Sequence, residues 1–343
     1  MSNQQTRAHA TDQAKLDEIT ERLRQLGSLF SGGGGWDAGA LAVGIRPVFA
    51  VEYEPWIARW HARVFGDHVA QGSVADVDYR AAARRFGPID VLVSSPPCQD
   101  SSASGKAWKT RRRARGLPEP ERVVCDPHIG LHTLAAVDGF SPRAVLLENN
   151  AGYANGATFR AVADGLRDRG YAVDHRILHA EDYGVVSGRE RLILRAVRRR
   201  RLPPWPAPVP RPSWYEAIRD VIPEMDPTPL AAWQAKGLRD NPPPPGEPLL
   251  IAGGNPNRNK RGYVVHRTTR EAAWTTQLAK NTSGMRVIGT DGVPRLMSAR
   301  GIARLQGFPD WYPIDGLLRT KAIHILGNSV PPVLAAALLA PFA

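Results

Sequence analysis

The sequence predicts an α/β domain built on a mainly parallel sheet, joined to a smaller and less regular region. Three observations predict it: short apolar strands alternate with amphipathic helices from Leu26 to about Val197, a glycine run follows the first strand, and a proline-rich break follows the last.

Taken in order, residues 1–25 form a polar arm or helix with Leu16, Ile19, Leu23 and Leu26 spaced along one face. The segments GSLF, PVFAVE, IDVLVSS, RAVLLEN, YAVDHRILHA and RLILRAV then give the strands of a domain spanning 26–202. PPWPAPVPRP follows Arg201, and its prolines stop any continuing helix or central strand. Residues 203–293, rich in proline and glycine, are expected to be irregular. Helical patterning returns in SARGIARLQGF and VPPVLAAALLAPF, so 294–343 is expected to rejoin the first domain.

With 343 residues the chain can bury a substantial core, and 43% hydrophobic with 23% charged residues is ordinary for a globular protein. No uninterrupted apolar run is long enough to span a bilayer, and the N-terminus lacks the apolar core of a secretion signal, so a cytoplasmic protein with no membrane partner is expected. Two cysteines, Cys98 and Cys125, exclude a disulfide framework or a four-thiolate metal site, and no metal is expected. A net charge of +12 favours a polyanionic partner, because each phosphate neutralised by Lys or Arg releases counterions.

Chemistry concentrates at two places. Phe30-Ser31-Gly32-Gly33-Gly34-Gly35 lies between a strand and a helix, where glycines let the backbone turn and approach a ligand; Glu52 ends the next strand, where a carboxylate can accept ribose hydroxyls. The spacing is neither a P-loop nor a strict dinucleotide fingerprint, and an adenosyl cofactor fits better. The second place is Ser94-Ser95-Pro96-Pro97-Cys98-Gln99, at the carboxyl end of IDVLV. The prolines fix the direction of the thiol, and the downstream Lys106, Lys109, Arg111, Arg112, Arg113 and Arg115 favour its thiolate form. Cys125 has no such frame and is read as structural.

The pieces LFSGGGG (29–35), Glu52, PPCQ (96–99), LLENN (146–150), DYGVVSGRER (182–191), PRLMSARGIARLQGFPD (294–310) and LGNSVPP (326–332), in this order, resemble the cytosine-C5 DNA methyltransferase family of bacterial or phage type. The resemblance implies a Rossmann-like fold dependent on S-adenosylmethionine, with 203–293 as the target-recognition region. It implies that Cys98 attacks carbon 6 of a flipped-out cytosine in double-stranded DNA, and that Glu148, Arg189 and Arg191 complete the catalytic set. Phe30, Gly32, Gly34, Gly35, Glu52, Pro97, Asn328 and Ser329 would line the cofactor. Gln99, Ser102, Lys106, Arg111, Arg112, Arg258, Lys260, Arg261 and Arg304 are the expected DNA contacts. A monomer is expected, with a cognate restriction endonuclease as a functional rather than physical partner.

Four positions depart from the family pattern: Ser73 for an aspartate, Asn150 for a valine, Ser187 for a glutamine and Gly301 for a glutamate. They are expected to affect cofactor affinity and the packing around Arg300. Three other readings stand beside this one: an RNA cytosine methyltransferase, an inactive DNA-binding homologue, and a nicotinamide-dependent oxidoreductase on a similar sheet.

Overall fold

The computed structural model describes residues 24–97, 128–199, 201–253, 264–273 and 284–343. The expected N-terminal arm, Cys98, Gln99, Ser102, Lys106, Arg111, Arg112, Cys125, Arg258, Lys260 and Arg261 lie outside the described residues.

Seven strands form one sheet in the order β3-β2-β1-β4-β5-β7-β6. The first five are β1 (Gln25–Leu29), β2 (Arg46–Glu52), β3 (Val69–Gln71), β4 (Val91–Ser94) and β5 (Ala144–Asn149), and neighbours among them pair in parallel. β6 (Tyr171–His179) and β7 (Glu190–Arg198) follow, and β7 runs antiparallel to both β5 and β6. β4 and β5 are buried along their whole length. Strands covered on both faces read as continuous apolar runs, which is why VLVS and AVLLEN show no polar alternation.

Successive side chains nevertheless point to opposite faces. Leu92, Val145, Leu147, Leu192 and Leu194 join one core with Phe49, Phe140 and Phe159. Val91, Val93, Ala144, Leu146 and Ile193 join another with Trp36, Leu334 and Leu338.

Helix starts follow local chemistry. α1 (Gly35–Ala42) begins after Gly34, which sits in the left-handed region at φ 77°. α2 (Pro55–Phe65) has Pro55 in its first turn, where a missing N–H costs nothing. α3 (Tyr79–Phe86) is capped by Asp78, whose carboxylate accepts the backbone N–H groups of Arg80 and Ala81. α4 (His132–Phe140) and α5 (Ala157–Asp168) complete the helices flanking this half of the sheet.

The region expected to be irregular contains α6 (Trp214–Ile218), α7 (Ala232–Asp240) and the strands β8 (Leu249–Ile251), β9 (His266–Arg267) and β10 (Arg286–Ile288). With β11 (Pro294–Leu296) these form a second sheet in the order β11-β10-β8-β9, with antiparallel pairing throughout. A third core ties this sheet to the end of the chain: Trp214, Leu250, Val287 and Met297 pack with Ile302, Phe308, Tyr312 and Ile325.

α8 (Ala299–Leu305), α9 (Arg319–Asn328) and α10 (Pro332–Leu339) close the chain, and α10 lies against α1. A β-carbon on Gly39 would stand 2.5 Å from the Ala335 methyl, so glycine sets how near those two helices come. The stretch Arg319–Phe342 is long and apolar enough by composition to cross a membrane, unlike the expectation from the sequence. It is broken into α9 and α10 around Ser329–Pro331, and most of it is buried in the protein. Its apolar character belongs to the core.

Candidate active site

The order of the first sheet reverses beside β1: the chain moves outward through β2 and β3, then returns to lay β4 on the other side of β1. Ligands of such sheets bind at the carboxyl ends of the strands flanking this switch. The glycine run leaves β1 there, Glu52 ends β2, and the proline pair leaves β4.

Phe30 opens the glycine run at φ 56°, a left-handed conformation uncommon for a bulky residue. Strain of this kind persists only where neighbours over-determine it, and it clusters at ligand sites. Here the Ser31 N–H donates to the Val51 carbonyl at 3.0 Å, and the Gly34 N–H donates to the Ser31 carbonyl at 2.9 Å. Gly32 is also left-handed, at φ 53°, and the nearest atom to a β-carbon built on it is 4.0 Å away. Its N–H donates to Glu52 Oε2 at 2.8 Å, while the Glu54 N–H donates to Glu52 Oε1, also at 2.8 Å. The Glu52 carboxylate is thereby locked in place, with one lone pair left on each oxygen for a further partner.

Gly34 and Gly35, expected to line a cofactor, are buried, and packing explains their identity. A β-carbon on Gly34 would sit 2.1 Å from the Phe65 ring, and one on Gly35 would sit 2.1 Å from the Val330 carbonyl oxygen. Tyr312 fixes the run from above, donating to the Gly33 carbonyl at 2.7 Å and accepting from Trp60 Nε1 at 2.9 Å. Burial pushes the Tyr312 hydroxyl well above the usual tyrosine range, which keeps it a neutral donor.

The proline turn after β4 is tied from two sides. Trp36 Nε1 donates to Ser95 Oγ at 3.1 Å, and Asn149 Nδ2 donates to the Pro96 carbonyl at 2.9 Å. Ser94 and Thr133 share a buried hydroxyl contact of 2.9 Å beneath it. Trp36 and Asn149 were not singled out from the sequence. Asn149 follows Glu148 in LLENN, and that adjacency was the available signal. Pro97 is exposed and is the last described residue of its segment.

Glu148 and Arg191 meet at this end of the sheet. Glu148, on β5, is buried, and Arg191 Nε lies 2.6 Å from Glu148 Oε1. Arg191 also donates from Nη1 to the Glu190 carbonyl at 2.6 Å. Arg189 is tied to the C-terminal part of the chain. Its buried guanidinium donates to Gln306 Oε1 and to the Gly327 carbonyl, both at 2.9 Å, and Gln306 in turn donates to the Leu326 carbonyl. Arg189 therefore clamps the segment before β7 to the loop after α8 and the end of α9.

Asn328, exposed, ends α9, and Ser329 follows it with its hydroxyl donating to the Ile325 carbonyl at 2.8 Å. Ser329 Oγ lies 3.1 Å from a β-carbon built on Gly33, so the C-terminal motif backs the glycine run. Arg304, expected to touch DNA, is occupied differently. Its guanidinium makes a two-pronged bond to Asp310 at 2.8 and 2.9 Å and contacts Asp220 at 2.5 Å. Two largely exposed carboxylates thus hold this guanidinium here.

The four departures have local explanations. Ser73 Oγ accepts the Ala75 N–H in a turn, and the Asn150 N–H donates to Asn149 Oδ1. Ser187 is buried and bridges to Ala273 beside the clamp. Gly301 is buried, and a β-carbon there would meet Met297 Sδ at 2.6 Å and Met225 Cε at 2.8 Å. Arg300 is well held despite that replacement, by Asp315 and the Asp310 carbonyl.

A nucleoside-type cradle at the switch point of a mainly parallel sheet, beside a carboxylate–guanidinium pair and a fixed proline turn, defines a group-transfer enzyme of the Rossmann-like class. The family model for C-5 cytosine-specific DNA methylase matches residues 25–341, and the chain belongs to that family. It is similar to the type II methyltransferase M.XorII of Xanthomonas oryzae, 28% identical over 90% of this chain and 82% of that protein. It is also similar to M.HaeII of Haemophilus aegyptius, 24% identical over 88% of this chain and 87% of that protein. Among solved structures, the Entamoeba histolytica methyltransferase EhMeth superposes with a TM-score of 0.63 at 15% identity, covering 93% of this chain and 97% of that one. The Dnmt2 methyltransferase of S. pombe gives 0.58 at 16% identity, covering 93% and 99%.

Proposed function

We propose that the protein is a DNA (cytosine-5-)-methyltransferase using S-adenosylmethionine, with Cys98 as nucleophile and Glu148 and Arg191 facing the target ring. The observation that carries this reading is the 2.6 Å ion pair of Arg191 with Glu148 beside the anchored Pro96–Pro97 turn, in a chain of the cytosine-C5 family.

The residues fit the cofactor. Glu52 keeps one free lone pair per oxygen for two ribose hydroxyls, and the open, left-handed Gly32 leaves room for close approach. Phe30, the backbone of Gly34 and Gly35, Pro97, Asn328 and Ser329 would complete its surroundings. Bound there, S-adenosylmethionine supplies an electrophilic methyl group.

Attack of the Cys98 thiolate on carbon 6 forms a C–S bond and moves an electron pair toward carbon 5 and the ring edge at nitrogen 3. Glu148 meets nitrogen 3 and the exocyclic amino group, sharing a proton with the ring as charge develops, and Arg191 fixes the carboxyl group while adding positive potential. After carbon 5 has accepted the methyl group, a water takes the carbon 5 proton, the C–H electron pair re-forms the carbon 5–carbon 6 double bond, and the C–S bond breaks to release the Cys98 thiolate. Arg189 acts at a distance, as a positioning residue.

The target atom is hidden in stacked DNA, so the base is flipped out to reach Cys98. Residues 203–293 read the sequence, with Arg258, Lys260 and Arg261 beside Gln99, Ser102, Lys106, Arg111 and Arg112 as DNA contacts. Double-stranded DNA is the substrate, the enzyme works as a cytoplasmic monomer, and the type II names of its relatives support a place beside a restriction endonuclease of the same specificity.

The test is transfer of labelled methyl groups from S-adenosylmethionine to unmethylated duplex DNA and, separately, to RNA, by wild type and Cys98→Ser. Labelling of DNA by the wild type alone supports the reading. Labelling of RNA alone, or labelling that survives Cys98→Ser, refutes it.

A further inference from the structure

Among the described residues, one cluster of three metal-ligating side chains stands apart from the chemistry above: Asp37 on α1, His61 on α2 and His68 before β3. Asp37 and His61 are fully buried, and the His68 side chain is 11% exposed. One ligand atom from each lies within 4.8 Å of the other two.

Hydrogen bonding does not explain the arrangement. His61 Nε2 stands 3.5 Å from Asp37 Oδ1, and His68 Nε2 stands 3.8 Å from the same oxygen. Both exceed the usual N–H···O range, and neither Asp37 oxygen nor either Nε2 has a hydrogen-bond partner. Four orphaned polar atoms converging in an apolar interior would be costly without something to satisfy them.

The spacing suits coordination. Two ligands at about 2.1 Å from a tetrahedral ion stand about 3.4 Å apart, close to the 3.5 Å of the His61–Asp37 contact. The other ring nitrogen of His61, Nδ1, lies 3.3 Å from the Gly32 carbonyl. A proton on Nδ1 directed there leaves the lone pair on Nε2, toward Asp37 and His68, as metal-bound histidines usually have it.

We propose that Asp37, His61 and His68 bind a divalent transition-metal ion, with Zn2+ as the natural occupant of an N2O set and the second Asp37 oxygen or a water as fourth ligand. The site is structural. It pins α1, α2 and the turn before β3 to one another and, through His61, holds the Gly32 carbonyl and hence the glycine run.

The untagged full-length protein, stripped with chelator, would be titrated with Co2+ and followed by visible absorption, with Zn2+ competition and thermal unfolding alongside. The expected result is one equivalent of Co2+ with tetrahedral visible bands and no thiolate charge-transfer band, displaced by Zn2+, with a higher Tm for the Zn2+-loaded form. His68→Ala, at the partly exposed ligand, is expected to weaken Co2+ binding at least tenfold while folding persists without metal. Absence of a stoichiometric tetrahedral spectrum in wild type, a thiolate band, or unchanged binding in His68→Ala would overturn the proposal. None of these readouts depends on methyl transfer.

Discussion

Arg191 and Glu148 stand on neighbouring antiparallel strands, and the Nε–Oε1 contact of 2.6 Å spans the gap between β7 and β5. Glu148 registers with Ile193, so Arg191, two residues earlier on β7, lies on the same face just past the end of β5. Sheet register alone thus brings the carboxylate and the guanidinium together. Replacing Glu148 with Gln keeps the shape and removes the proton-sharing carboxyl group. The expected outcome is a loss of about 10²–10⁴-fold in kcat with little change in Tm, checked by methyl-transfer kinetics and calorimetry. Arg191→Lys, which cannot reproduce the guanidinium geometry, should follow in the same direction.

Asn149 tests whether the proline turn needs its anchor. Asn149→Ala removes the bond to the Pro96 carbonyl and exposes that buried acceptor, at about 1–3 kcal/mol of stability. Because the turn aims the nucleophile, kcat should fall about tenfold to a hundredfold while the dissociation constant for S-adenosylmethionine stays near wild type. Equilibrium cofactor binding measured beside kcat separates the two effects.

Glu52 makes the opposite prediction. Glu52→Ala removes the acceptor of the Gly32 and Glu54 N–H groups and of the proposed ribose contacts. Affinity for S-adenosylmethionine should fall by about ten- to a hundredfold, taking about 1.5–3 kcal/mol for a hydrogen bond to a charged group. Titration calorimetry reads this directly, and Glu52→Gln should retain part of the affinity.

Gly301 yields a prediction that runs against the family pattern. Restoring the usual glutamate drives side-chain atoms into Met297 and Met225, which already stand too close for a β-carbon. Gly301→Glu should lower stability by about 1–3 kcal/mol or more, visible as a drop in Tm, and Gly301→Ala should show a smaller loss of the same sign. A variant more stable than wild type would contradict the packing account.

The glycine run and Glu52 were read from strand ends where apolar residues give way to polar ones, whereas Glu148 and Arg191 were read only through the resemblance to the cytosine-C5 family; in the structure they sit at the end of β5 and the start of β7. The direction of β7 was not: RLILRAV carries no mark of parallel or antiparallel pairing, and the sheet is mixed at that side. The second sheet was also hidden, since its strands are two or three residues long and lie among prolines and glycines. Gly34 and Gly35 read as ligand contacts, although what their β-carbons would strike is Phe65 and Val330, contacts made only in the folded chain. The pairing of Arg304 with Asp220 was hidden because the two stand 84 positions apart in the chain. Asp37, His61 and His68 are spread over 32 residues of an ordinary helix–turn–strand pattern, and only the fold, which lays α1 and α2 both against β2, assembles them.

The most direct test of the account is bisulfite sequencing of plasmid DNA from a methylation-deficient host expressing the wild type, Glu148→Gln or Cys98→Ser. Protected cytosines within one shared sequence are expected for the wild type, and none for either variant. Protection that persists in Cys98→Ser, or no protection with wild-type protein folded and binding S-adenosylmethionine, would contradict it.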